Sequence, residues 1–316
     1  MELNDLGNTG LKVSKLCFGT LSMGPLQANL SIEEGAQLIC EALKYGINFF
    51  DTAELYKTYP YLNYALKINK RQKFIISTKS YAYDEETAKY SLDKALNEMN
   101  TDYIDIFSLH EQESPETLRG HMKALEYFYK MKEKGIIKAI GLSTHHISAV
   151  LAGIQSPLID VIHPIINFRG LGIQDGNITE MEEAIKKAYL DGKGIYAMKI
   201  LGGGNLLKRS DECFNYILNF KYLHSAAIGM RTIDEIKVNT LIFENSPVPD
   251  AMRKRISETK RRLLVDFWCE LCGECVRHCS HNALEISEGK VVVDTSKCVL
   301  CGYCGSWCPQ FCIKII

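Results

Sequence analysis

The chain has 316 residues, 46% of them hydrophobic, which suits a globular protein with a sizeable core and excludes a chain kept disordered by its charge. Lys and Arg number 37 against 38 Asp and Glu, so no global field draws it to nucleic acid or lipid head groups, and a small-molecule ligand is expected. No apolar run approaches the roughly 18 residues of a bilayer span, and Met1 to Asp5 lack a basic, apolar leader; a cytoplasmic location is expected, where 12 cysteines would not form a disulfide framework.

Residues 1–15 alternate apolar and polar side chains around Gly7-Asn8-Thr9-Gly10 and read as a hairpin. Strand-like and amphipathic runs then alternate. The expected strands are 15–20, 47–50, 73–78, 103–109, 136–142, 159–165, 194–198 and 225–228. The expected helices are 31–45, opened by Ser31 as N-cap, then 85–99, 115–134, 146–155, 178–190 and 233–243. Eight such units fit an α/β fold closed as a (β/α)8 TIM barrel better than an open sheet, and no Gly-x-Gly-x-x-Gly turn follows the first strand. Asp51 ends the second strand, where a charged side chain either belongs to a barrel's site or caps the next helix. Gly202-Gly203-Gly204 follows the seventh strand, a place where barrels bind phosphate. Residues 244–265 carry Pro247, Pro249 and a basic helical run from Arg253 to Arg262, and read as a linker docked on the barrel with its charges in solvent.

Nine of the 12 cysteines follow residue 268, which makes the tail the place to look for their purpose. Cys269-x2-Cys272-x2-Cys275-x3-Cys279 recurs as Cys298-x2-Cys301-x2-Cys304-x3-Cys308, and each repeat ends in a strand-like stretch, 283–286 and 312–315. Three thiolates at this spacing wrap one face of a cubane while the fourth is aimed at the neighbouring cluster. On that rule Cys269, Cys272, Cys275 and Cys308 hold one [4Fe-4S] cluster, and Cys298, Cys301, Cys304 and Cys279 the other. Structural zinc favours paired rather than tripled cysteines. Cys312 is left over as a buried thiol. The tail resembles a bacterial-type ferredoxin with two [4Fe-4S] clusters, a small α+β domain, although Ser280 stands where proline usually follows the fourth cysteine.

The barrel carries a resemblance of its own. The stretch Gly46-Ile47-Asn48-Phe49-Phe50-Asp51-Thr52-Ala53-Glu54-Leu55-Tyr56, with Ser77-Thr78-Lys79 and Ser108-Leu109-His110 at the next two strand ends, resembles the aldo-keto reductase family. The likeness runs from Leu6 to about Phe243. It implies a catalytic tetrad of Asp51, Tyr56, Lys79 and His110 and the reduction of a small carbonyl compound by hydride from a nicotinamide. Negative charge then builds on the carbonyl oxygen, so Tyr56 is expected to donate a proton, Lys79 to lower its pKa, Asp51 to hold Lys79, and His110 to orient the carbonyl. The cofactor contacts it implies are Gly19, Thr20, Ser143, Thr144, His163, Asn167, Met198, Gly203, Gly229, Arg231, Thr232 and Asn239. Thr144 replaces the usual asparagine, His163 a carboxamide-binding glutamine, Met198 a stacking aromatic, and Val238 an adenine-binding glutamate. Arg231 suits a 2′-phosphate, which favours NADP(H) over NAD(H).

The expected organisation is a barrel at 1–243, a linker or docking helix at 244–265 and a ferredoxin domain at 266–316. The expected partners are a small carbonyl substrate and a redox protein, with no nucleic acid and no membrane span. Two other readings stand beside this one. His110, His145, His146 and His163 fall near the ends of strands four to six and could bind a catalytic metal with Asp51. Alternatively, the barrel could bind nicotinamide as a redox sensor or electron-transfer subunit without carbonyl turnover. Nicotinamide moves two electrons as hydride and each cluster moves one, so exchange between them calls for a partner or a further centre. Substrate choice is expected in loops 21–30, 110–114, 168–177 and 203–211, with Tyr81 and Tyr83 at the mouth.

Overall fold

Residues 3–14 form the expected hairpin, β1 (Leu3–Asp5) and β2 (Lys12–Ser14), in a computed structural model that describes residues 1–316. The hairpin closes one end of a barrel. Leu6 and Val13 are fully buried beneath it, and Gly7, at φ 52°, approaches the Gly194 backbone too closely for a side chain.

Strands and helices then alternate: β3 (Leu16–Gly19), α1 (Ile32–Lys44), β4 (Phe49–Asp51), α2 (Tyr59–Ile68), β5 (Ile75–Ser80) and α3 (Glu85–Met99). They continue with β6 (Ile104–Leu109), α4 (Pro115–Gly120), α5 (Met122–Glu133), β7 (Ile137–Thr144), α6 (Ile147–Gln155) and β8 (Val161–Pro164). The last are α7 (Ile178–Leu190), β9 (Gly194–Ala197), α8 (Ser210–Asn219), β10 (Ser225–Gly229) and α9 (Ile233–Phe243). The parallel strands β3 to β10 neighbour one another in chain order, and β10 closes onto β3. β6 is buried along its whole length, as a parallel strand covered on both faces should be. Capping boxes at Ser31, Asp84 and Asn177 open α1, α3 and α7 where the side chains satisfy otherwise orphaned N–H groups. No helix is long and apolar enough to cross a membrane.

Two helices escape the sequence pattern. α2 holds Tyr59, Tyr61 and Tyr64, a strand-like composition, but its Pro60 falls in the first turn, where a missing N–H does no harm. α8 starts within the stretch read as a loop at 203–211, because Ser210, Asp211 and Glu212 suit a helix start as well as a turn. The expected helix at 115–134 is broken at His121, whose φ of −101° lies outside helical values.

Beyond the barrel come α10 (Asp250–Ser257), β11 (Leu263–Val265), α11 (Glu274–Arg277), β12 (Leu284–Ser287), β13 (Lys290–Val293), α12 (Tyr303–Ser306) and β14 (Ile313–Ile315). α10 packs on α9 and ends earlier than the basic run at 253–262 implied. β11 pairs antiparallel with β14, so the tail's sheet begins inside the stretch read as linker. The tail is seated on the loop after β9. Phe311 is buried in the barrel's core cluster against Gly172, where a Cβ would lie 2.8 Å from its ring. Asn205 Nδ2 donates to the Ile313 carbonyl at 2.8 Å. Gly204 has φ 87°, and a Cβ there would run into the Ile315 carbonyl, so this position needs glycine for two separate reasons.

Gly204→Ala is expected to loosen the tail by about 1–3 kcal/mol while the barrel stays folded. Hydrogen exchange should quicken in residues 311–316 and stay unchanged in the barrel strands. Unaltered exchange in 311–316 would contradict this seating.

Candidate active site

The parallel register that sets Asp51 of β4 beside Ser77 of β5 brings successive strand ends to one rim. Asp51 closes β4, Tyr56 ends the short turn after it, Lys79 lies near the end of β5, and His110 follows β6. Lys79 Nζ donates to Asp51 Oδ1 at 2.6 Å and to the Thr52 carbonyl at 2.7 Å. The same ammonium stands 5.2 Å from the centre of the Tyr56 ring, and that ring meets His110 edge-on at 5.7 Å. The four side chains expected to form a tetrad are thus brought together.

Three further residues complete the arrangement. Tyr196, in the middle of β9, donates to Asp51 Oδ1 at 2.8 Å and shares a hydrogen bond with the Ser77 hydroxyl at 2.8 Å. Nothing in an apolar strand singled it out. His163 stacks on Tyr196 at 3.8 Å, and its Nδ1 lies 2.7 Å from the Tyr196 carbonyl. A carbonyl can only accept, so Nδ1 carries the hydrogen and Nε2 keeps its lone pair. Tyr81 stacks on His110 at 4.6 Å and donates to Glu111 at 2.5 Å, which gives the expected mouth residue a direct contact with the site.

Burial, then the carboxylates of Asp51 and Glu111, pushes the Tyr56 phenol well above its ordinary pKa. These effects act against the lowering expected of Lys79, whose ammonium is itself paired with Asp51 at 2.6 Å. Tyr56 is therefore held in its protonated form. Burial, reinforced by Lys79 and the other histidines, pushes His110 well below its ordinary value, so it is a neutral imidazole.

A cavity of about 720 Å³ opens beside Asp51 and Tyr56. Among the expected cofactor contacts, Gly19, His163, Met198, Gly203, Gly229, Arg231 and Asn239 line it. The others have committed side chains. Thr20 donates to the Asp51 carbonyl at 3.0 Å, Ser143 accepts the Glu111 N–H at 3.0 Å, and Thr144 accepts the His146 N–H at 2.8 Å. Asn167 ties down the backbone of Leu171 through both ends of its amide, and Thr232 caps α9. At the cavity's far end the buried Glu235 accepts from the Arg231 N–H at 2.6 Å and from Arg261 at 2.9 Å. Arg231 Nη2 is buried there without a partner, which a phosphate oxygen would supply. Arg261 belongs to the segment after α10, beyond the barrel that carries the expected cofactor contacts.

In the tail, Cys275 lies within electrostatic reach of Cys308, Cys269 and Cys272. Cys279, Cys298, Cys301 and Cys304 line one small cavity. Cys312 is buried with its sulfur 3.3 Å from that of Cys308. No three His, Cys, Asp or Glu side chains converge on the position of a single metal ion, either in the tail or among His110, His145, His146 and His163. The metal-site reading of the barrel histidines lacks a converging donor set.

The model of the aldo/keto reductase family matches residues 15–221. L-galactose dehydrogenase of Arabidopsis thaliana is 28% identical over 209 residues, which span 62% of this chain and 63% of that one. A methylglyoxal reductase of Yersinia pestis is 27% identical over 190 residues, 57% of this chain and 67% of that one. An aldo-keto reductase from Bacillus halodurans in its holo form has the same fold, with a TM-score of 0.65 at 21% identity over 82% of this chain and 96% of that one.

Burial holds His110, His145 and His163 below the ordinary imidazole range, His163 down to about 4. Unfolded, each takes up a proton near pH ~6.5, so the unfolded state binds more protons between the two values. Stability is then fully present above that pH and is lost as pH falls toward about 4. His163 alone contributes about 3 kcal/mol across this window. His163→Gln is expected to flatten the decline of the urea midpoint from about pH 7 to about pH 5. Equal declines in variant and wild type would contradict a neutral buried His163.

Proposed function

The chain belongs to the aldo/keto reductase family, and on that premise we propose that it is an NAD(P)H-dependent oxidoreductase that reduces a small carbonyl compound, with NADP(H) preferred. The observation that carries this reading is the buried Lys79–Asp51 pair at 2.6 Å, set against a protonated Tyr56 and a neutral His110. The names of the relatives, an L-galactose dehydrogenase and a methylglyoxal reductase, support a small carbonyl or hydroxyl compound as substrate.

The residues fit a nicotinamide dinucleotide. His163 Nε2 is a free acceptor for a carboxamide N–H, and Arg231 has an unpartnered buried nitrogen at the other end of the cavity. When bound, the cofactor supplies the hydride. Tyr56 donates its phenolic proton to the carbonyl oxygen as charge develops there. His110, being neutral, donates an N–H to the same oxygen and fixes its direction. Lys79 stabilises the phenolate left behind, while Asp51, Thr52 and Tyr196 keep its ammonium from turning away. The guanidinium groups of Arg231 and Arg261 would hold a 2′-phosphate, Arg261 giving up part of its hold on Glu235.

The reading extends to three units: the barrel to residue 243, a docking linker at 244–265, and a ferredoxin domain at 266–316. Cys269, Cys272, Cys275 and Cys308 would hold one [4Fe-4S] cluster, and Cys298, Cys301, Cys304 and Cys279 the other. Support comes from the tripled spacing and from the grouping of Cys275 with Cys269, Cys272 and Cys308, and of Cys279 with Cys298, Cys301 and Cys304 along one small cavity. The clusters supply single-electron transfer when bound, and a redox protein is the partner this chemistry calls for.

Tyr56→Phe is expected to lower kcat by about 100-fold or more while cofactor affinity stays within about two-fold. Undiminished kcat would remove Tyr56 as the proton donor, and wild type that binds the cofactor without carbonyl turnover would instead favour a nicotinamide-binding redox subunit. Anaerobic reconstitution should load about eight irons per chain, falling by about half in Cys298→Ser/Cys304→Ser. Zinc in place of iron, or no iron at all, would defeat the cluster assignment.

A further inference from the structure

The tail contributes a charged side chain to the barrel's cavity. Lys314 sits in the middle of β14 between Ile313 and Ile315, only 4% exposed, and it lines the cavity that also reaches Asp51, Tyr56 and His163. Its amine donates to the Phe311 carbonyl three residues back. Lys199, just after β9, lines the same cavity from the barrel side. It holds a left-handed backbone conformation at φ 58°, which a non-glycine residue keeps only when its surroundings impose it.

Neither ammonium is answered by a carboxylate. Lys199 feels Glu111, Asp266 and Asp51 and the opposing charge of Lys79, while Lys314 feels Lys199, Asp266 and the thiols of Cys308 and Cys312. All of these act at a distance, with no hydrogen-bonded acid on either amine. Burial pushes both amines down, Lys314 well below the ordinary range. Lys314, buried, and Lys199, half-buried, thus line one cavity with neither amine paired to a carboxylate, which leaves an anionic ligand to answer them. His145, beside Phe311 at 6.2 Å, has a buried Nε2 with no partner and feels both lysines.

The position selects the kind of anion. Lys199 follows Met198 and lines the cavity together with Asp51, Tyr56 and His163, whereas Arg231 and Arg261 meet at Glu235, the end proposed for the phosphate. Glu111 and Asp266 already offset part of the positive charge, so a monoanion suits the site better than a dianion. Resting on the carbonyl-reductase reading above, we infer that Lys199 of the barrel and Lys314 of the tail bind a carboxylate carried by the substrate, which makes the substrate class the oxo acids. The tail thereby supplies part of the specificity of the barrel's site.

The full chain, with its clusters loaded, is compared as wild type, Lys199→Met, Lys314→Met and Lys314→Arg. The probes are pyruvate, succinic semialdehyde and 5-oxopentanoate, each against its neutral carboxamide. Wild type should prefer at least one acid over its amide by ten-fold or more in kcat/KM. Either methionine variant should erase that preference through KM, and Lys314→Arg should restore most of it. Calorimetric titration with the same acids gives a second readout that needs no turnover: binding should be seen in wild type and lost ten-fold or more in Lys314→Met. Acids that bind without being reduced would leave the anion site standing and remove the carbonyl-reductase reading. Equal use of acid and amide by wild type would overturn the inference. So would a loss in the methionine variants that falls on cofactor affinity or on acid and amide alike.

Discussion

A barrel interior cannot solvate charge, and the Lys79–Asp51 pair at its rim is the constraint to which the surrounding residues answer. Deleting either partner would strand a buried ion, a loss of about 3–5 kcal/mol, although the pair itself contributes far less than that figure suggests. The ions persist because their remaining hydrogen-bonding capacity is met: Lys79 reaches the Thr52 carbonyl, and Asp51 receives the Tyr196 hydroxyl. Those partners come from different strands, so the site's geometry is inherited from the register of the whole barrel. Tyr56 and His110 then gather around a charge that cannot move, and their own burial keeps one protonated and the other neutral.

The cysteine-rich tail obeys the same rule of satisfied burial. Phe311 fills space in the barrel's core, and the glycine loop after β9 leaves room for β14 to approach. Asn205 answers the backbone of Ile313. The tail is therefore part of the wall of the cavity beside Tyr56, and whatever orders the tail also shapes the space in which the barrel does its chemistry.

Much of this was legible in the sequence. The eight strands were placed within a few residues, because buried parallel strands announce themselves as short apolar runs, and the four side chains that the aldo-keto reductase resemblance implied as a tetrad meet at one rim. What local pattern could not reveal was tertiary. Tyr196 looked like one more apolar strand residue until its hydroxyl was seen on Asp51. Lys314 sits between two isoleucines, an alternation that reads as a solvent-facing polar side chain, yet it is buried because the strand lies against the glycine loop after β9. The glycine run after the seventh strand suggested a phosphate loop and is the seat of the tail. Thr20, Ser143, Thr144, Asn167 and Thr232, also expected as cofactor contacts, hydrogen-bond to the backbone of neighbouring strands, loops and a helix cap, which no local pattern announces.

The most direct test follows a single isotope. Anaerobic, fully loaded protein is given nicotinamide cofactor deuterated at C4 together with a reducible carbonyl compound in ordinary water, and the product is read by mass spectrometry and NMR. Direct hydride delivery beside Tyr56 requires deuterium on the former carbonyl carbon and a solvent proton on its oxygen. Product whose carbon carries only solvent hydrogen would contradict it, since the electrons would then have reached the substrate by a route other than hydride transfer in the barrel.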